Sequence, residues 1–315
     1  MEKQSESTAM RFNWTAPDGV VFPCERWLPD EKPRGTLVCV HGLSGAASDF
    51  FTLGDFVRRA GLACFALNLR GQGSDPHRPR RGANLDLDDL SRDISSFANA
   101  MHSVSDDRPL WVCGESMGAL IVAWMLAGNR FEQPIAGAIF SVPVVDLIKP
   151  TPWIVRQLVR TIASLAPGVR FFPAWFISGK LEPLRVTRDE EYELRVRSAP
   201  HYITAFTFRF LHQLGLLIES SAKIAAEMKT PCLVLAAGHD VFLRPEQVQA
   251  WFDRLAATDK TFRVYPEAYH LLWNDWDKEL VLADIVAWLN QHAAMPVNTG
   301  ELVREMYVRL RSEGC

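Results

Sequence analysis

Cys113-Gly114-Glu115-Ser116-Met117-Gly118 is the stretch that decides the fold. It reads Gly-x-Ser-x-Gly, with an apolar strand before it from Leu110 to Cys113 and a helix-forming run after it from Ala119 to Ala127. A serine on so sharp a strand-to-helix turn has its hydroxyl pushed into the open. Gly114 and Gly118 suit a turn with no room for side chains on either flank. The helix start that follows offers unpaired N–H groups and a positive dipole end to a developing anion. Taken alone the pattern also fits an ordinary β-to-α turn, so the reading depends on finding partners for Ser116.

A serine hydroxyl is a poor nucleophile until a base takes its proton. On this kind of turn the partners follow in the order Ser, then Asp or Glu, then His, at the ends of late strands. The apolar strand Pro231 to Ala237 ends in Gly238-His239-Asp240, and the strand Thr261 to Tyr265 runs into Pro266-Glu267-Ala268-Tyr269-His270. Asp240 is the expected acid and His270 the expected base, the carboxylate fixing the tautomer of the imidazole. Asp146, after the strand Ile135 to Val142, is the competing acid. His239 precedes the last strand and is a poor base.

A tetrahedral intermediate also needs two N–H donors. Met117, next to the nucleophile, supplies one, and the loop after an early strand supplies the other. Thr36 to Val40 is that strand, followed by His41-Gly42-Leu43-Ser44-Gly45, which makes Leu43 the second donor. His41 reads as a structural histidine bonded to nearby backbone.

These residues resemble the monoacylglycerol lipase and lysophospholipase family of serine hydrolases, within the α/β-hydrolase fold. The resemblance covers about Arg11 to about His292. It includes Ala16-Pro17-Asp18-Gly19 in a first hairpin, the His41-Gly42-Leu43 loop, the Gly114 to Gly118 elbow, and Asp240 and His270 in the places of acid and base. Asn68-Leu69-Arg70-Gly71-Gln72-Gly73-Ser74 resembles the family's Asp-x-Arg-Gly-His-Gly-x-Ser, with Asn for Asp and Gln for His. The likeness implies ester hydrolysis more firmly than it implies which ester.

Composition agrees. The chain has 315 residues, and 48% of them are hydrophobic, enough for a large core. A net charge of −3 with mixed signs speaks against nucleic acid as a partner. The polar start, Met1 to Met10, lacks the apolar run of a signal peptide, and no run approaches a membrane span. Cys39, Cys64, Cys113 and Cys232 sit inside strands, as buried thiols do in a reducing compartment, so a cytoplasmic location is expected. No spacing suggests a metal, and no glycine-rich loop follows a strand to hold a dinucleotide; neither cofactor nor metal is expected.

Strands alternate with helical stretches up to Val142, which gives a mostly parallel sheet with helices on both faces and a site beyond the C-terminal strand ends. Residues 10–143 and 215–295 are expected to form the core, 144–214 an inserted helical cap, and 296–315 a tail or short helix. Within the cap, Trp153, Ile154, Leu158 and Ile162 fall on one helix face, and Phe171, Phe172, Trp175 and Phe176 form an aromatic patch. Most of these pack the cap; Trp153, Ile154 and Phe176 are the candidates for lining an acyl pocket or meeting a lipid surface. Arg78, Arg80 and Arg81 make a small basic cluster, either a solvated loop or a contact to an anionic head group.

The expected activity is cleavage of a carboxylic ester through an acyl-Ser116 intermediate, on a monoacylglycerol or lysophospholipid-like substrate. The alternatives are a general small-ester carboxylesterase, an acyltransferase or thioesterase with the same triad, and a non-catalytic binding protein on this fold. Transient contact of the cap with a membrane surface is expected; the oligomeric state is left open.

Overall fold

A computed structural model describes residues 9–105, 108–148, 151–171 and 185–293. Its centre is an eight-stranded sheet. The strands are β1 (Met10–Thr15), β2 (Val21–Trp27), β3 (Thr36–Val40), β4 (Ala63–Leu67), β5 (Leu110–Glu115), β6 (Gly137–Ser141), β9 (Cys232–Ala237) and β10 (Lys260–Tyr265). The strands β7 (Arg170–Phe171) and β8 (Phe206–Thr207) pair separately as a short ribbon. The sheet order is β1-β2-β4-β3-β5-β6-β9-β10. Pairing is antiparallel for β1 with β2 and for β2 with β4, and parallel from β4 to β10.

The central strands are apolar throughout because both faces are covered. Side chains alternate between two cores: Val38, Val40, Phe65, Val112, Phe140 and Val234 on one face, and Leu37, Cys39, Cys64, Trp111, Ile139 and Leu233 on the other. Helices α2 (Leu87–His102), α3 (Met117–Ala127), α7 (Ser221–Glu227) and α8 (Pro245–Arg254) cover the first face. Helices α1 (Phe51–Arg59) and α9 (Lys278–Gln291) cover the second. Asp86 caps α2, its carboxylate accepting from the amides of Asp88 and Asp89. α3 is apolar on every side, and every residue from Met117 to Ala123 is buried, because it lies between the sheet and the helices outside it.

Between β6 and β9 lie α4 (Trp153–Leu165), α5 (Glu190–Ser198) and α6 (Phe208–Glu219), with the ribbon β7–β8 among them. α4 packs along α6, and α6 reaches α3. α6 runs to Glu219, so the expected boundary at residue 214 falls inside a helix. The stretch expected as a C-terminal tail lies outside the described residues.

Candidate active site

Ser116 sits where β5 ends and α3 begins. It has φ 55° and ψ −118°, a left-handed conformation that a side chain rarely accepts. The surroundings hold it there. Its amide donates to Ser141 O at 2.9 Å, carrying the β5–β6 ladder one step past the strand. A Cβ at position 118 would fall 2.2 Å from Val40 O and 2.5 Å from His41 O, and one at position 114 would fall 2.4 Å from Ala119 Cα. The two glycines of the motif are therefore required by close approach: one lets α3 meet the end of β3, and the other lets β5 meet α3.

The register of β9 against β10 brings the acid and the base together. Ala237 stands opposite Tyr265, and the pairing continues as Gly238 N–H to Tyr265 O at 2.9 Å and His239 N–H to Ala268 O at 3.0 Å. Asp240 and His270 then leave the sheet side by side. His270 Nδ1 and Asp240 Oδ2 are 2.7 Å apart, and Asp240 Oδ1 accepts from the Phe242 amide at 2.8 Å. Both side chains are buried, at 4% and 8% residual exposure, while Ser116 retains 9%. With a carboxylate at Nδ1, the imidazole carries its proton there and leaves Nε2 free to accept.

Asp146 is not part of this pair. Its Oδ1 accepts from the Leu147 amide at 2.8 Å and its Oδ2 from Gln247 at 2.9 Å, on the exposed surface. His239 is exposed and lies 3.7 Å from Glu267.

The loop after β3 lies against the nucleophile. A Cβ at Gly42 would come 3.0 Å from Ser116 Cβ, so the backbone that leads into Leu43 passes directly over the serine. Met117, the other expected donor, begins α3 and is buried. His41 is fully buried and bonds on both nitrogens: Nδ1 to Gly42 O at 2.8 Å, and Nε2 accepting from the Leu69 amide at 3.0 Å. Burial, against the pull of the Gly42 carbonyl, pushes its pKa down to about 4, so it is neutral. The structural reading of His41 holds.

The two departures in the 68–74 segment serve this loop. Gln72 Oε1 accepts from the Ser44 amide at 3.1 Å, and Asn68 bonds the amide of Ala47 at 2.9 Å and the carbonyl of Pro23 at 2.7 Å. Ser44 itself has φ 61° and donates through Oγ to Ile203 O at 2.7 Å.

Trp153 and Ile154 stand outward on α4 at 65% and 66% exposure. The helix presents no buried side chain among its residues, because α6, which it packs along, covers only part of it. Phe176 lies outside the described residues. Arg80 and Arg81 are engaged at the surface: Arg80 bonds Asp75 Oδ1 at 3.0 Å, and Arg81 bonds Asp75 O at 2.9 Å through Nε and Pro200 O at 3.4 Å.

Three features escaped the sequence reading. The Phe242 ring meets the His270 imidazole edge to face, with centroids 4.8 Å apart. Asp275 is buried and collects the Tyr269 amide at 2.7 Å, the Arg188 amide at 2.8 Å and the Arg188 guanidinium at 3.1 Å. Burial pushes its carboxyl up, but those amides and the guanidinium outweigh it and hold it below the usual range. Glu115, inside the elbow motif, is buried, and burial with Asp49 nearby pushes its carboxyl up to about 8. The aspartate at the fifth place after His270 carried no motif, and no spacing tells which way residue 115 points.

The family model described as serine aminopeptidase, S33 (Hydrolase_4) matches residues 31–277. The chain belongs to that family. It is 28% identical over 293 residues to the monoacylglycerol lipase of Mycolicibacterium smegmatis, covering 91% of this chain and 99% of the relative. It is 24% identical over 267 residues to phospholipase YtpA of Bacillus subtilis, covering 84% and 98%. Among solved structures, a soluble variant of the Saccharomyces cerevisiae monoglyceride lipase superposes with a TM-score of 0.79 at 21% identity, covering 93% of this chain and 99% of that one. The Paleococcus ferrophilus monoacylglycerol lipase superposes with a TM-score of 0.72 at 23% identity, covering 90% and 99%. At these identities the structural likeness gives the fold, which is that of an α/β-hydrolase.

Proposed function

We propose that this protein hydrolyses the carboxylic ester of a single-chain lipid, a monoacylglycerol or a lysophospholipid-like molecule, through an acyl-Ser116 intermediate. The observation that carries the reading is the buried His270–Asp240 pair at 2.7 Å, set beyond the ends of β9 and β10 in the same sheet whose β5 ends at the strained Ser116. Ser116 Oγ attacks the ester carbonyl carbon, and its proton passes to His270 Nε2. The carbonyl electron pair moves onto oxygen, where the amides of Leu43 and Met117 receive it. Collapse breaks the bond to the alcohol, which leaves with the proton held by His270. Water then repeats the sequence, with His270 as base, and releases the fatty acid and free Ser116. Asp240 keeps the proton on Nδ1 and stabilises the imidazolium. The curated lipases that cover most of the chain support a lipid acyl group.

The family description names an aminopeptidase, whose substrate amine needs an anion to hold it. Ester hydrolysis needs no such anion.

The 144–219 segment serves as a cap. Its outer helix α4 exposes Trp153, Ile154, Leu158 and Leu165, a face suited to transient contact with a lipid surface. The described cysteines, Cys24, Cys39, Cys64, Cys113 and Cys232, are buried free thiols, which supports a reducing, cytoplasmic setting.

The test is a panel of p-nitrophenyl esters and monoacylglycerols of rising chain length, with aminoacyl naphthylamides beside them. kcat/KM should climb with chain length, and the amides should not turn over. A fluorophosphonate should label wild-type protein and fail to label Ser116→Ala, which should also lose turnover by about 10⁴-fold or more. Retained turnover in Ser116→Ala, or preference for acetate esters, would refute the proposal.

A further inference from the structure

Glu115 is the last residue of β5 and adjoins Ser116. Its carbonyl lies 3.2 Å from where a Gly42 Cβ would stand, so the loop carrying Leu43 packs on the peptide that joins Glu115 to the nucleophile. Its carboxyl is buried, at 3% residual exposure of the residue, and Oε1 has no hydrogen-bond partner among the described residues.

Among the described residues, the groups around it offer no compensating cation. Asp49, on the turn after the oxyanion loop, faces it, with Oδ2 accepting from the Ala46 amide at 2.8 Å. Tyr192 of α5 lies within the field of both carboxyls, and burial raises its phenol well above the ordinary value, so it stays neutral. Arg195 of α5 is exposed, stands over the Tyr192 ring at 5.0 Å and acts on Asp49 and Tyr192. Asp189, at the start of α5, adds negative charge from the side of Tyr192. His41, on the oxyanion loop, is neutral. Burial pushes Asp49 up only to about 6, so it is ionised at neutral pH while Glu115 keeps its proton.

We propose that Glu115 is a positioning residue of the nucleophile elbow whose carboxyl must be uncharged for turnover. Its ionisation beside Asp49 sets a buried negative charge against the oxyanion and the strained serine, and closes the enzyme at alkaline pH. The reasoning is electrostatic. An oxyanion develops at the Leu43 and Met117 amides, in a site where water screens poorly, and a second anion one residue away opposes it. The proposal rests on the ester-hydrolysis reading for its catalytic part.

The linkage has a definite sign. The folded carboxyl titrates at about 8 and the unfolded one near 4.5, so the folded state holds the extra proton between those values. Its contribution to stability is complete below 4.5 and is lost as pH rises to about 8.

The experiment has two readouts on the full chain. The first is the pH profile of kcat/KM with a neutral p-nitrophenyl ester. Wild type should lose activity with a midpoint near 8, falling about tenfold one unit above it. Glu115→Gln, an isostere that cannot ionise, should lose this limb; the shape of its profile is read, not its height. Asp49→Asn removes the neighbouring charge and should move the limb to lower pH. The second readout is infrared: wild type should show the carbonyl stretch of a protonated carboxyl that titrates with the same midpoint and is absent from Glu115→Gln. If Glu115→Gln fails to fold, the Asp49→Asn shift and the wild-type band decide. An alkaline limb unchanged in Glu115→Gln, or no protonated carboxyl at neutral pH, overturns the proposal by itself. Absence of ester turnover at every pH, with the infrared titration intact, sinks the hydrolase reading and the catalytic part with it.

Discussion

Asp240→Asn is the sharpest test of the acid. Both oxygens of Asp240 are in use as acceptors, Oδ2 toward His270 Nδ1 at 2.7 Å and Oδ1 toward the Phe242 amide at 2.8 Å. Asparagine has one acceptor oxygen to share between two donors. If its NH2 faces His270, Nδ1 must give up its proton, and Nε2 carries one instead. The base is then in the wrong tautomer to accept from Ser116. If the NH2 faces Phe242, two buried donors confront each other at a cost of about 1–3 kcal/mol. That cost alone makes the productive tautomer about 5- to 150-fold rarer. Loss of the carboxylate's hold on the imidazolium comes on top. We expect kcat to fall about 10³- to 10⁴-fold, or about 4–5.5 kcal/mol of barrier. Asp146→Asn should change kcat less than about twofold, since an asparagine keeps the Leu147 contact on the surface. The assay is initial rate on a short p-nitrophenyl ester, with melting curves to show that each variant folds. Equal losses in the two variants, or a loss under about tenfold in Asp240→Asn, would refute the assignment.

Three further outcomes follow from the packing. Gly118→Ala forces a Cβ against Val40 O and His41 O, at 2.2 and 2.5 Å, so α3 must move off β3. The melting temperature should fall by about 2–8 °C and kcat by about tenfold or more, and a wild-type value for both would contradict the close-approach argument. Trp153→Asp with Ile154→Asp should cut hydrolysis of aggregated lipid about tenfold more than hydrolysis of a dissolved short ester, checked with vesicles beside a soluble substrate; equal losses would remove the surface role. His41, pushed down to about 4 from 6.5, contributes stability that is complete above pH 6.5 and is lost as pH falls toward 4. The melting temperature should decline across that window, and the decline should shrink in His41→Gln.

The sequence made the elbow legible because its requirements are local: a strand, two glycines and an apolar helix leave little else that the chain can do. The acid and base were legible because each follows a strand end. Asp240 is preferred over Asp146 from the sequence, and the β9–β10 register shows why the two differ: it sets Asp240 beside His270, while Asp146 bonds surface groups. Helix periodicity marked Trp153 and Ile154 as one apolar face, yet an apolar face is the same in sequence whether it is covered or bare. α4 leaves them bare because α6, which packs along it, covers only its other side. Arg80 and Arg81 looked like free charge, and their partners are carbonyl and carboxylate oxygens that no pattern places beside them. Glu115 is the clearest case: it reads as a polar residue at a turn, and only burial against Asp49 turns it into a carboxylic acid.

The segment between β6 and β9 is tied by hydrogen bonds to both loops of the proposed catalytic arrangement. On the oxyanion side, Ser44 Oγ donates to Ile203 O at 2.7 Å, while the Ser44 amide is held by Gln72. On the base side, the Leu271 amide donates to Val186 O at 3.0 Å, and Thr187 Oγ1 donates to Asn274 O at 2.7 Å. Asp275 then clamps Arg188 and the Tyr269 amide, one residue from His270. Backbone hydrogen bonds cost free energy when broken in a buried setting, so a displacement of the cap strands donors on both loops at once. In the proposed mechanism the oxyanion donors and the base thereby depend on one position of this segment.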